Sequence, residues 1–179
     1  MRHFTTLPAL LAEKGYVSFQ GGKWWEQSFK NGGFTEGMSK GWDMSERGKN
    51  EWFHEFMGGD GMALGRETLQ PIYDFIDKNT EKPFFIWYGP SLPHTPLNPP
   101  EKYFNIYKDK DLSESAKEYY GNCTWFDDGV GDLMNYISSK ALREKTMFIY
   151  VNDNGWEQGP HDEYKGNHIL YSNGGPRGK

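Results

Sequence analysis

Three short apolar runs that end abruptly in polar chemistry constrain the fold of this 179-residue sequence more than any other feature. The sharpest is 147–151, Met-Phe-Ile-Tyr-Val, which is followed almost at once by Asp153, Asn154 and Gly155. A short run rich in β-branched and aromatic residues reads as a buried strand. The run 84–88, Phe-Phe-Ile-Trp-Tyr, leads to Pro93, His94, Thr95 and Pro96. The run 16–19, Tyr-Val-Ser-Phe, leads to Gly22, Lys23 and Trp24. Ligands of open α/β sheets gather outside the carboxyl ends of the strands. Three strand ends that deliver a Lys, a His and an Asp-Asn pair therefore point to one site.

Between these runs the spacing turns helical. Phe4, Leu7, Leu10 and Leu11 recur at helical intervals, with Pro8 suited to a first turn and Gly15 to a stop. A second helix starts near Thr68, tolerates Pro71 in its first turn, and turns Leu69, Ile72, Tyr73 and Ile76 inward. The longest helix is expected over 113–139, where Ala116, Tyr120, Cys123, Asp127, Val130, Met134 and Ile137 trace one stripe. Residues 26–65 carry many Gly and polar residues with weak periodicity, and read as a long loop or insertion. The proline-rich run from Pro90 to Pro100 lacks backbone donors and reads as an extended loop. Helix and strand alternating three times imply an α/β fold, its sheet mainly parallel with helices on both faces.

Composition excludes some functions. Twenty basic against twenty-five acidic residues leave a net charge of −5, which argues against a general nucleic-acid binder. It also means that any anion site has to be cationic locally, because the whole-molecule field does not draw anions in. No apolar run approaches the roughly 18 residues of a membrane span. Cys123 is the sole cysteine, so no internal disulfide forms. Asn122-Cys-Thr124 spells a glycosylation acceptor, but inside a helix it reads as a chance match.

The candidate residues each have a plainer alternative. Asp153 and Asn154 offer hard oxygen donors suited to Ca²⁺ or Mg²⁺, and would otherwise form a turn. His94, between two prolines, can donate to an anionic oxygen or protonate a leaving group; the alternative is a solvated loop histidine. Lys23, flanked by glycines, is a compact cation suited to sulfate or phosphate oxygens, or else a surface lysine. Asp127 and Asp128 point about 100° apart on a helix, so they do not share a site, and Asp127 reads as structural. Trp24, Trp25, Trp87 and Trp156 could stack on sugar rings, with core packing the commoner role. Cys123, with no cation beside it in sequence, reads as a small buried hydrophobe.

Taken in order, these residues resemble the sulfatase family of the alkaline-phosphatase-like superfamily. Leu7 to Tyr16 with Gly22-Lys-Trp24 resembles the family's helix and lysine strand; 83–88 through Pro93-His-Thr-Pro96 resembles its histidine segment. Asp127-Asp-Gly-Val-Gly131 through Asp153-Asn-Gly155 resembles its long helix and metal strand. The resemblance implies hydrolysis of sulfate monoesters on a sulfated small molecule or glycan, with Ca²⁺ and a formylglycine made from the Cys or Ser of a C-x-P/A-x-R motif. It makes Asp153 and Asn154 Ca²⁺ ligands, gives Lys23 and His94 the sulfate oxygens or the leaving group, and matches Lys179 to a later active-site lysine. The sequence departs from the pattern in three places. Cys123 is followed by Thr-Trp-Phe and not by the motif, the upstream metal-binding aspartates are missing, and Trp25 stands where the family has a histidine after Lys-Trp. His54, from the long loop, is a possible substitute. The chain is accordingly expected to be an incomplete catalytic domain, 1–179, cut at both ends and inactive alone, with any export signal lying outside it. Phosphomonoester or phosphonate hydrolysis, and non-catalytic binding of sulfated glycans, remain open beside it.

Overall fold

The structure is a computed structural model that describes residues 4–48 and 50–152. In chain order its elements are α1 (Leu7–Ala12), β1 (Val17–Gly22), β2 (Glu36–Gly37), α2 (Asn50–Met57), α3 (Gln70–Lys78), β3 (Phe84–Gly89), α4 (Glu101–Phe104) and α5 (Glu114–Ser139). Short 3₁₀ turns lie at Phe29–Gly32, Met44–Glu46, Gly59–Ala63 and Arg143–Lys145. The described residues divide into two units, one running to Ser91 with Asn135–Lys140 added, the other holding Leu92–Met134 and 141–152.

In the first unit β1 is the middle strand of a parallel sheet in the order β2-β1-β3. Val17 pairs with Phe84 and so on up to Gly22 with Gly89, so β1 and β3 end level. Parallel neighbours need a crossover, and α3 lies in the one from β1 to β3. This is the mainly parallel α/β arrangement expected from the runs.

Register decides which side chains meet. Phe19 and Phe84 share a face, and Phe75 of α3 packs on both, at ring separations of 5.2 and 6.3 Å. Ile72, Phe75 and Ile76, spaced three and four apart, are the buried residues of α3. Phe85 and Trp87 lie on the opposite face. There Phe34 stacks on Phe85 and Trp24 sets its edge against Phe34 and Trp87. The polar Ser18 and Gln20 point to the same side, yet both are buried. Ser18 is satisfied by Thr35: the Ser18 N–H donates to Thr35 Oγ1, which donates to Ser18 O, and Ser18 Oγ accepts from Thr35 N. α1 is tied in by Thr6 Oγ1, which donates to Gly32 O at 2.6 Å.

In the second unit, Tyr103 of α4 is buried and stacks on Trp125 of α5, and Tyr107 shares a 2.7 Å hydrogen bond with Thr124. A side chain at Gly121 would meet Pro99 at 2.7 Å, so glycine is what lets α5 approach that loop. The last residues of α5 belong to the first unit: Tyr136 stacks on Tyr73 at 3.9 Å, and Lys140 pairs with Asp77 at 2.6 Å.

Two expectations need correction, those for 147–151 and for Asp127. The run 147–151 is not a strand; Met147, Ile149, Tyr150 and Val151 are more than 70% exposed. Its residues favour strand, but a strand exists only where a neighbour completes its ladder, and none of the described residues does so. Leu7 and Leu10 of α1 are exposed, as is Phe4 before it, and Pro8 is the buried residue of the helix. Asp127 is exposed, not on the buried stripe of α5, which runs instead through Ala116, Asn122, Leu133 and Ile137. Residues 26–65, read from sequence as a long loop or insertion, contain β2, α2 and three 3₁₀ turns.

Candidate functional site

Lys23 follows the last residue of β1, and its backbone is held from several sides. Its N–H donates to Gly89 O at 2.6 Å, which continues the β1–β3 ladder by one step. Gly22 has φ +88°, and any Cβ there would strike the Gly89 carbonyl, so only glycine lets the two strand ends meet. Gly61 and Gly58, from the far end of 26–65, close over the same turn; side chains there would reach Gly22 O at 2.7 Å and Lys23 Cα at 3.3 Å. Gln20 completes the support from inside the sheet. It is fully buried, its Nε2 donates to Gly22 O at 2.9 Å, and its Oε1 accepts from Ser39 N at 3.0 Å.

The side chains after this turn divide by role. Trp24 is buried among Phe34 and Trp87, while Trp25 is 59% exposed. The Lys23 ammonium sits over the Trp25 ring, 4.5 Å from its centre. Such a contact is worth about 0.5–1 kcal/mol at an exposed position, weak enough to yield to an anion. Core packing thus describes Trp24 but not Trp25, and Trp87 is itself 45% exposed.

β3 ends beside Lys23 and leads after Pro90 and Ser91 into the second unit, where His94 lies. The peptide bonds before Pro93 and Pro96 are both cis. His94 is exposed, and its Nδ1 lies 3.0 Å from Thr95 Oγ1 and 3.1 Å from Thr95 O. Asn122 of α5 donates from Nδ2 to Pro93 O at 3.4 Å and to Pro96 O at 3.2 Å. It is fully buried, which removes the glycosylation reading. Neither Gln20 nor Asn122 was marked as a site residue by the sequence. Gln20 alternates with apolar residues as a solvent-facing position would, and the partners of Asn122 lie 26 and 29 residues away.

Asp153, Asn154 and Lys179 lie outside the described residues, as does Trp156. Among the described residues no group of three or more His, Cys, Asp or Glu could hold a metal ion. Asp153 and Asn154 are oxygen donors of the kind Ca²⁺ takes, but two ligands fall short of its usual six to eight. His54 is exposed on α2, its Nδ1 3.7 Å from Glu55 Oε1. Cys123 is half-buried, and burial pushes its thiol up in spite of a hydrogen bond with Tyr119, the reverse of an activated nucleophile. Tyr88 of β3 has its hydroxyl buried, and burial pushes that phenol well up, so it stays protonated.

The motif with serine in place of cysteine does occur, as Ser139-Lys-Ala-Leu-Arg143. The fold gives it another place. Ser139 Oγ donates to Tyr136 O in the last turn of α5, and Lys140 pairs with Asp77 next to the last residue of α3. That end of α3 turns into the start of β3, whereas Lys23 stands at the finish of β3.

The Sulfatase family model matches residues 1–177. The arylsulfatase of Clostridium perfringens (strain 13 / Type A) is 25% identical over 177 residues, covering 80% of this chain and 36% of that protein. The endo-4-O-sulfatase of Bacteroides thetaiotaomicron is 31% identical over 97 residues, or 44% of this chain and 19% of the relative. The N-acetylgalactosamine-6-sulfatase of Canis lupus familiaris is 25% identical over 177 residues, 83% of this chain and 32% of the relative. The chain therefore spans about a third or less of these relatives. Among solved structures, Ps i-CgsB in complex with k-i-k-neocarrahexaose superposes with a TM-score of 0.63 at 22% identity, over 91% of this chain and 41% of that one, a likeness of fold. By the match over nearly its whole length, the chain belongs to the sulfatase family.

Proposed function

We propose that the protein hydrolyses sulfate monoesters carried on carbohydrate, and that this chain supplies the part of the site that grips the sulfate group. The supporting observation is that the family match includes Lys23, a cation held at the carboxyl end of the middle parallel strand. The sugar part of the reading draws on relatives named as endo-4-O-sulfatase and N-acetylgalactosamine-6-sulfatase.

Lys23 acts as the local positive charge that an overall acidic chain needs in order to draw a sulfate oxygen. His94, its Nδ1 engaged by Thr95, hands a proton to the ester oxygen as the sulfur–oxygen bond breaks. Bound Ca²⁺ supplies further positive charge against the sulfate oxygens, and Asp153 and Asn154 are the residues of this chain that would hold it. Lys179 is assigned to the same anion. The nucleophile is a formylglycine that Cys123 does not provide, so the 179 residues alone do not turn over an aryl sulfate.

The test compares Lys23→Ala and His94→Ala in the full-length protein on an aryl sulfate and on sulfated oligosaccharides. Loss of one positioned charge or acid is expected to slow turnover about 10²–10⁴-fold. Turnover by the 179 residues alone, with Ser139 found by mass spectrometry to have lost two hydrogens, would overturn the account of the nucleophile. Faster hydrolysis of an aryl phosphate than of the sulfate would move the protein to phosphate chemistry. Retention of sulfated glycans with no hydrolysis by the full-length protein would make it a binder.

A further inference from the structure

Asn122 connects the longest helix to the segment that carries His94, and its chemistry suits that one task. The side chain is fully buried; its Oδ1 has no hydrogen-bond partner among the described residues, and Nδ2 makes its contacts. Its Nδ2 faces two carbonyl oxygens, Pro93 O and Pro96 O, at 3.4 and 3.2 Å. A primary amide has two N–H donors, one for each. The same pairing fixes which way round the amide lies, because the reversed amide would set oxygen against two oxygens. The two carbonyls bracket His94 and Thr95, and both belong to prolines, which have no N–H with which to tie themselves down. Thr95 in turn engages Nδ1 of His94, so the residue that sets the ring lies inside the bracket.

We infer that Asn122 is a positioning residue for His94: it holds both ends of the Pro93–Pro96 segment and thereby aims the imidazole at the sulfate ester. The inference rests on the role proposed for His94. Asn122 itself touches neither substrate nor metal in this account.

Asn122→Leu removes both donors while keeping the branch at Cγ, and Asn122→Gln keeps the amide on a longer arm. In the full-length protein, the expected result for Asn122→Leu is a folded enzyme whose kcat falls about a hundredfold, the scale of an ångström misplacement, while KM changes little. Asn122→Gln should recover part of kcat. The ring signals of His94 in a ¹⁵N-histidine NMR spectrum should move in Asn122→Leu, while those of His54 stay in place. A folded Asn122→Leu protein with unchanged kcat and unchanged His94 signals would overturn the inference. If Asn122→Leu fails to fold, Asn122→Ser offers one donor in place of two; a shift of the His94 signals supports the inference and no shift overturns it. His94→Ala separates the two proposals. Unchanged turnover in that variant removes the role of His94, whereas the NMR comparison tests the Asn122 link without reference to activity.

Discussion

At the scale of single residues, the glycines at the end of β1 decide whether Lys23 can stand where it does. Gly22 needs its positive φ and has no room for a methyl group beside the Gly89 carbonyl. Gly22→Ala is therefore expected to cost more than the roughly 1–2 kcal/mol of left-handed backbone alone. A urea melt measures it, and a change below about 0.5 kcal/mol, the range of an ordinary surface substitution, would show that the turn adapts. Sequence disclosed Gly22, Lys23 and His94 because glycine, charge and proline leave marks in a one-dimensional string. It did not disclose Gln20 or Asn122, whose roles depend on bonds to carbonyl groups that any residue possesses.

At the scale of elements, α3 carries the sheet's packing on one face. Ile76 and Ile72 are fully buried, so Ile76→Ala should lower stability by about 2–5 kcal/mol in thermal or chemical unfolding. Where α5 returns to α3, Lys140 and Asp77 form an exposed pair. The hydrogen bond from Lys140 holds Asp77 below its usual 3.8, and that with Asp77 raises Lys140 above its usual 10.5. A depressed carboxyl contributes above its unfolded pKa and fades as pH falls, while a raised amine contributes below its unfolded pKa and fades as pH rises. The Tm difference between the wild type and Lys140→Gln should thus be widest between about pH 5 and 9 and close at both extremes, small throughout because water screens the pair. A difference that stays constant from pH 3 to 11 would assign the effect to the lysine's apolar stem. The elements themselves were mostly legible. Proline in the first turn and apolar spacing marked α3, and α5 begins within a residue of its expected start. The inward face of α1 was not legible, because helical spacing shows that a stripe exists without showing what lies opposite.

At the scale of the whole molecule, the apolar run 147–151 is the largest departure from what its residues prefer. Four of its five side chains are more than 70% exposed, in a segment with high strand propensity and no charge. Such windows promote association between chains. Ile149→Lys should reduce light scattering of the concentrated 179-residue chain without lowering its melting temperature. A drop in melting temperature would mean that the run is packed in solution. His94 lies five positions after the last residue of β3, in the other unit from Lys23.

The sequence by itself determined the fold class, the two strands that carry Lys23 and lead to His94, the helices around them and the family. Those follow from local preferences: apolar periodicity, proline and glycine geometry, and the order of the motifs. Tertiary structure decided the rest. It buried Gln20 and Asn122 and gave them carbonyls to hold, left Asp127 and Trp25 in solvent, turned Ser139 away from Lys23, and gave 147–151 no ladder among the described residues. Each of these depends on which distant group a side chain meets. A strand, a buried amide and an active serine are properties of a neighbourhood, and the linear sequence names the residue without naming its neighbours.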